Sequence, residues 1–102
     1  MRVSPWIIRQ LFNESQYPRL IENGILRSKP LRNAHLTDPE SVGEPHCTHG
    51  QLIRYYDHRG HIAVEVFQYL RPDNTIGASG RPDPKRLIID NTEYIADPNL
   101  AT

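Results

Sequence analysis

A chain of 102 residues with 37% hydrophobic and 24% charged residues has the size and composition of one globular domain, residues 1–102, and not of a disordered polymer. Twelve basic residues balance twelve acidic ones, which argues against a simple electrostatic nucleic-acid binder. No apolar run approaches the roughly 18 residues of a membrane span. Arg9 interrupts the N-terminal apolar stretch before a signal-peptide core develops, and a lone cysteine, Cys47, allows no internal disulfide, so a cytoplasmic setting is expected.

Ser4-Pro5 reads as a helix start, a hydroxyl cap followed by proline at the first helical position. Ile7, Ile8, Leu11 and Phe12 then share one face at helical spacing, opposite Arg9 and Asn13. Tyr17-Pro18 opens a second, shorter helix that should close at Asn23-Gly24, with Leu20 and Ile25 placed for the hydrophobic contact of a Schellman ending. Residues 29–50 hold three prolines and no sustained period, and a long irregular segment is predicted there, with Leu31–Leu36 the best candidate for a hidden strand.

The second half reads as antiparallel sheet. "QLIRYYD" and "HIAVEVFQYL" are rich in β-branched and aromatic residues, and "DHRG" joins them as a hairpin. "RPDNT" makes the next turn, and "LII" and "EYI" form a last hairpin closed by "DNT". Helices ahead of strands predict an α+β fold: two short helices packed on an antiparallel sheet of about four strands.

Alternation along the strand at 61–70 puts Ile62, Val64, Val66 and Leu70 on the core face and His61, Ala63, Glu65, Phe67 and Tyr69 on the other. The preceding strand adds Arg54 and Tyr56 to that second face or, if its register slips by one, Tyr55 and Asp57. The Asp57–Gly60 turn signal favours the bulged hairpin, and apolar matching of Ile53 and Tyr55 with Ile62 and Val64 favours the other register. A base, an acid and an arginine on a sheet face are the parts of a metal-independent ribonuclease, so Arg54, Tyr56, His61, Glu65 and Tyr69 are the candidate catalytic residues. In layout this resembles small ribonuclease toxins of the barnase and colicin D kind, with helices ahead of a twisted sheet; the resemblance is architectural and rests on no diagnostic motif. One magnitude opposes it: His61 and Glu65 are four residues apart on a strand, about 13 Å, too far to share one phosphate.

His46, Cys47 and His49 offer imidazole and thiolate donors, but a closed zinc site needs four ligands and no finger spacing occurs. No metal and no cofactor are predicted, and these three are the zinc candidates if one binds.

The stretch 75–89, "TIGASGRPDPKRLII", fits neither a Walker loop, whose Gly-Lys-Ser/Thr order is missing, nor the helix-joining loop of an RNA-binding KH domain, since Pro82 and Pro84 forbid a regular helix there. Gly77, Ser79 and Gly80 can still open their backbone amides as an anion nest, ringed by Arg71, Arg81, Lys85 and Arg86; alternatively the loop is a proline-stiffened corner with Asp83 neutralising its neighbours. The run "QYLRPDNTIGASGRPDPKRLI", residues 68–88, is similar to a C-terminal segment of small uncharacterised bacterial proteins, which carry Q-Y-L-x-P-D-G-T and G-R-P-D-P-K-R-L motifs. Asn74 stands where glycine is more familiar. That resemblance implies a small bacterial domain and no particular activity.

Three functions are compatible with these features. One is a small bacterial or mobile-element regulatory module that binds RNA, DNA or an acidic protein through the Arg-rich Gly/Pro loop. A second is the ribonuclease. The third is an interaction domain or homodimer presenting the last hairpin as an exposed edge.

Overall fold

In a computed structural model, which describes residues 1–101, Ser4 caps the first helix, its hydroxyl accepting from the Ile7 amide at 3.2 Å. Helix α1 runs Pro5–Glu14 and α2 runs Tyr17–Glu22. The second ends in a Schellman closure: the Gly24 amide reaches the Ile21 carbonyl at 3.1 Å and the Ile25 amide the Leu20 carbonyl at 2.9 Å, with Gly24 at φ +69°.

The sheet has six strands, β1 (Arg2–Val3), β2 (Arg27–His35), β3 (His49–Tyr56), β4 (Ile62–Leu70), β5 (Asp83–Ile89) and β6 (Thr92–Ala96), in the order β1-β6-β5-β4-β3-β2. β1 runs parallel to β6 and all other neighbours are antiparallel. The fold is α+β as expected, but about four strands becomes six, and the sheet is mixed. β1 is two residues long, too short for any pattern. β2 crosses most of the first half of the segment taken as irregular. All nine of its residues are exposed, so no alternation of polarity marks it. Pro30 is tolerated because β2 is an edge, where a missing N–H breaks no ladder bond. The remainder of that segment, after Leu36, holds a 3₁₀ turn at Pro39–Val42. The last hairpin is not an edge either: β1 closes its outer side, with the Ile95 amide on the Met1 carbonyl and the Asp97 amide on the Val3 carbonyl.

Helix α1 lies on the β5–β6 half of one sheet face and buries Ile8 and Phe12 against Val64, Val66 and Leu87. Leu11 flanks this contact, while Ile7 turns outward with Trp6; the buried stripe of α1 is thus narrower than its apolar residues suggest. The β3–β4 turn is the bulged one, with Tyr56 opposite Ile62, and a second bulge between Tyr55 and Tyr56 then restores the apolar match, Tyr55 opposite Val64 and Ile53 opposite Val66. Asp57 and Gly60 close the turn (Gly60 amide to Asp57 carbonyl, 3.0 Å), and Arg54 sits opposite Glu65. The β5–β6 turn places Asp90 and Asn91 both at positive φ, 50° and 64°, the type I′ geometry that matches strand twist. No helix is long and apolar enough to cross a membrane among the described residues.

Candidate functional site

The helix-free face carries a row of charges in register across three strands. Glu65 on β4 accepts from Arg54 Nε of β3 at 2.6 Å, while Arg86 of β5 stands 3.7 Å from the same carboxylate oxygen and 3.6 Å from Glu93. The Tyr56 hydroxyl, ahead of Glu65, raises the Arg54 pKa, so this guanidinium stays charged throughout the accessible range. Of the residues considered for catalysis, Arg54, Tyr56 and Glu65 come together and Arg86 joins them. His61 lies in the hairpin turn, exposed, ahead of β4. Tyr69 packs at right angles to Phe67, centroids 5.3 Å apart. A carboxylate clasped between two guanidiniums, with no imidazole hydrogen-bonded to it, is an acceptor committed to structure.

The Gly/Pro loop holds an anion supplied by the chain itself. Glu44, its side chain only 1% exposed, accepts from Arg71 Nε at 2.8 Å and from the Ala78 amide at 2.7 Å. The Arg71 bond, then the Ala78 amide, hold the Glu44 carboxyl below the usual glutamate range, against the opposing effect of burial. Ala78 at φ +51° and Gly80 at φ +79° turn the chain around this carboxylate, and the Gly80 amide closes back on the Gly77 carbonyl at 2.9 Å. Lys85 and Arg9 both bond to Asp83, at 2.8 and 2.9 Å. Of the loop's cations, Arg71, Lys85 and Arg86 are therefore committed to internal carboxylates. Arg81 alone enters no ion pair among the described residues, and Ser79 makes only long contacts of 3.4 Å with the Arg81 backbone. Glu44 carries no sequence signal, because its partners lie 27 and 34 residues away.

His46, Cys47 and His49 diverge. His46 stands 3.5 Å from Glu40, Cys47 is exposed at φ +68°, and His49 Nδ1 meets Asn33 Oδ1 at 2.7 Å beside the His35 ring. Among the described residues no three His, Cys, Asp or Glu side chains gather as metal ligands.

The free positive charge lies on β2. Arg27, Lys29 and Arg32 form no ion pair among the described residues, and neither does Arg59 in the neighbouring β3–β4 turn. In a regular strand Arg32 would face away from Arg27 and Lys29. A one-residue bulge between Pro30 and Arg32 shifts the pairing, so that Arg27, Lys29 and Arg32 stand opposite Tyr56, Arg54 and Leu52. All three cations consequently emerge on the helix-free face, and the Arg27 guanidinium lies 5.0 Å over the Tyr56 ring. The one nearby acid, Asp57, turns its carboxylate onto the backbone amides of His61 and Arg59, which hold its pKa low.

The chain matches no family model, no curated protein and no solved structure.

Proposed function

We propose that this protein is a binding module that holds single-stranded nucleic acid across the β2 margin of its helix-free sheet face. The observation that carries the reading is the bulge, which re-aims Arg32 and lines up three unpaired cations beside an aromatic ring. Cations that follow a backbone, next to rings on which bases stack, are the shared equipment of single-strand binders. The loop at 75–89, first favoured by its arginines, is the weaker surface because its charges are already neutralised. An acidic peptide added as a seventh strand fits less well. Pro30 lacks an N–H and the bulge breaks the hydrogen-bond repeat midway along β2, whereas a phosphate backbone makes no demand on main-chain register.

Fluorescence anisotropy with a labelled single-stranded oligonucleotide tests this. Four phosphate contacts, from Arg27, Lys29, Arg32 and Arg59, predict a log–log salt slope of about −3, or roughly a fifty-fold loss of affinity between 50 and 200 mM salt. Arg27→Gln, Lys29→Gln and Arg32→Gln together remove the three strand charges and leave the pairing with β3 unchanged. Affinity and salt slope that both fall in this variant support the platform, the slope to about −1 for the one remaining contact. Salt-insensitive binding, or full affinity in the folded triple variant, refutes it.

A further inference from the structure

One end of the β2–β3 ladder holds a pair of imidazoles that the proposed nucleic-acid surface does not use. His35 is the last residue of β2 and His49 the first of β3, and they stand directly opposite each other in register. Their ring centroids are 4.1 Å apart, with the planes inclined at 54°. Side chains directly opposed on neighbouring strands start from Cβ atoms only about 4.5–5.5 Å apart, so the sheet itself keeps these rings within reach of one another. The pair lies on the opposite face from Arg27, Lys29 and Arg32. Beyond the bulge Asn33 and His35 alternate with Arg32 and Ala34. The row Asn33–Gln51–Gln68 shares their face, and Gln68 borders a depression walled by Phe12 and Asn13 of α1.

The surroundings of the two rings are those of a ligand pair. His49 Nδ1 meets Asn33 Oδ1 at 2.7 Å, and the same oxygen accepts from Gln51 Nε2 at 3.3 Å. An amide oxygen only accepts, so His49 carries its proton on Nδ1 and presents the lone pair of Nε2. Gln51 is 8% exposed, and its own oxygen accepts from Gln68 Nε2 at 2.8 Å. The orienting chain therefore spans three strands and ends on the imidazole. Metal-binding histidines are held this way: the nitrogen that does not bind donates to a fixed acceptor, which sets the tautomer and the ring direction. His35 is exposed, and its ring forms no hydrogen bond or ion pair among the described residues, so it can turn toward the same point. Two nitrogens on one ion at about 2.0–2.1 Å each stand no more than about 4 Å apart. Rings with the observed separation meet that span by rotation about their side-chain bonds.

We infer that His35 and His49 chelate a divalent transition-metal ion between the ends of β2 and β3, with Asn33 as the residue that positions His49. Neutral imidazole suits Cu²⁺, Ni²⁺ and Zn²⁺, with Cu²⁺ the tightest, whereas Mg²⁺ and Ca²⁺ take oxygen donors. Two protein ligands leave the other coordination positions to water, so the site is open, unlike a four-ligand structural zinc centre. The ion would clip the far end of an edge strand that only β3 otherwise holds.

Calorimetric titration and thermal unfolding of the intact protein with Zn²⁺, Ni²⁺ and Mg²⁺ test the assignment. An ion bound only by the folded chain, at a hundred times its Kd, should raise the melting temperature by about 10–20 °C, and Mg²⁺ should leave it unchanged. His35→Ala should lose about a hundredfold in affinity, because one imidazole remains where two acted together. Asn33→Ala should lose about tenfold. Both residues are exposed on an edge strand, and circular dichroism of the metal-free variants checks that they fold. His46→Ala and Cys47→Ala should bind as the wild type does, which separates this pair from the loop residues next to His49 in sequence. Substoichiometric Ni²⁺ should broaden the ring resonances of His35 and His49 ahead of those of His46, His58 and His61. No saturable binding of Zn²⁺ or Ni²⁺ up to millimolar concentration, or full affinity in a folded His35→Ala, overturns the inference. Broadening centred on another histidine does the same.

Discussion

The contact between Gly77 and Glu44 can be tested by adding one methyl group. Gly77 is buried and its φ is not positive, so the backbone itself would accept alanine. The obstacle is the side chain opposite: a Cβ on Gly77 would sit 2.6 Å from Glu44 Cδ and 2.7 Å from Oε2, inside any real carbon contact. The carboxylate cannot swing aside without releasing Arg71 and the Ala78 amide. Overpacking of this kind destabilises by about 1–3 kcal/mol. At about 4–8 °C per kcal/mol for a domain near this size, Gly77→Ala should melt roughly 5–20 °C below the wild type by circular dichroism. In a Glu44→Ala background the clash is gone, and the same substitution should make little further difference, a coupling characteristic of residues in contact. Gly80→Ala is the control. Nothing lies within 4 Å of a Cβ there, but φ is +79°, so its penalty is backbone strain and persists whether or not Glu44 is present. A wild-type melting temperature for Gly77→Ala, or an undiminished loss in the Glu44→Ala background, would refute the self-ligated loop.

Three further outcomes follow from other parts of the fold. Phe12 is 2% exposed at the centre of the helix–sheet contact, and Phe12→Ala should lose about 3–5 kcal/mol in urea unfolding, a large part of the stability of such a domain. Folding lowers the Glu44 pKa from its ordinary 4.5, first through Arg71, and the Asp97 pKa from 3.8, first through the Asn99 amide and then Arg2. Depressed carboxyls contribute stability that is complete above their unfolded pKa and lost as pH falls through the folded one. Urea midpoints should therefore be level from neutrality to about pH 5 and decline below it, less steeply in Glu44→Gln; a midpoint rising on acidification contradicts this. In the β5–β6 turn Asn91 sits at φ +64°, so Asn91→Gly should melt at or above the wild-type temperature and Asn91→Val about 1–2 kcal/mol less stable, measured the same way.

What could be read from the sequence depended on whether local chemistry fixed the structure. Ser4-Pro5, Asn23-Gly24 and Asp90-Asn91 are short-range signals that act through their own backbone, and each marks the helix end or turn it encodes. The β3–β4 hairpin was legible from its turn residues and its β-branched and aromatic runs, but the expected alternation of β4 fails in burial. Ala63 joins the core and Glu65, expected on the open face, is buried beside Val64 and Val66, while Ile62 and Leu70 are only half-buried. A bulge at the start of β4 and the flanking guanidiniums of Arg54 and Arg86 cover that end of the strand. β2 was not legible, since a strand exposed on all sides leaves its residues no reason to alternate, and its pairing is dictated by β3. Glu44 and Glu65 escaped in a different way. Each is a carboxylate whose partners come from other strands or loops, so the sequence shows arginines in number but not which of them are neutralised.

That last distinction decides how the zero net charge should be interpreted. Arg2, Arg9, Arg54, Arg71, Lys85 and Arg86 are held against carboxylates within 4 Å, and contribute little field beyond their partners. Arg27, Lys29 and Arg32 face no such carboxylate, and β2 contains no acid. The remaining acids sit in α1, α2, the 38–40 segment, the turn at Asp73 and the β5–β6 turn, and the one that adjoins Arg27, Asp57, has its carboxylate turned onto the Arg59 and His61 amides. At physiological salt a charge is screened beyond about 8 Å, so distant acids do not cancel β2. The neutrality of the whole chain and the positive potential of one sheet margin are therefore compatible. An anionic polymer would meet the local potential, on the face to which the bulge at Leu31 delivers Arg32.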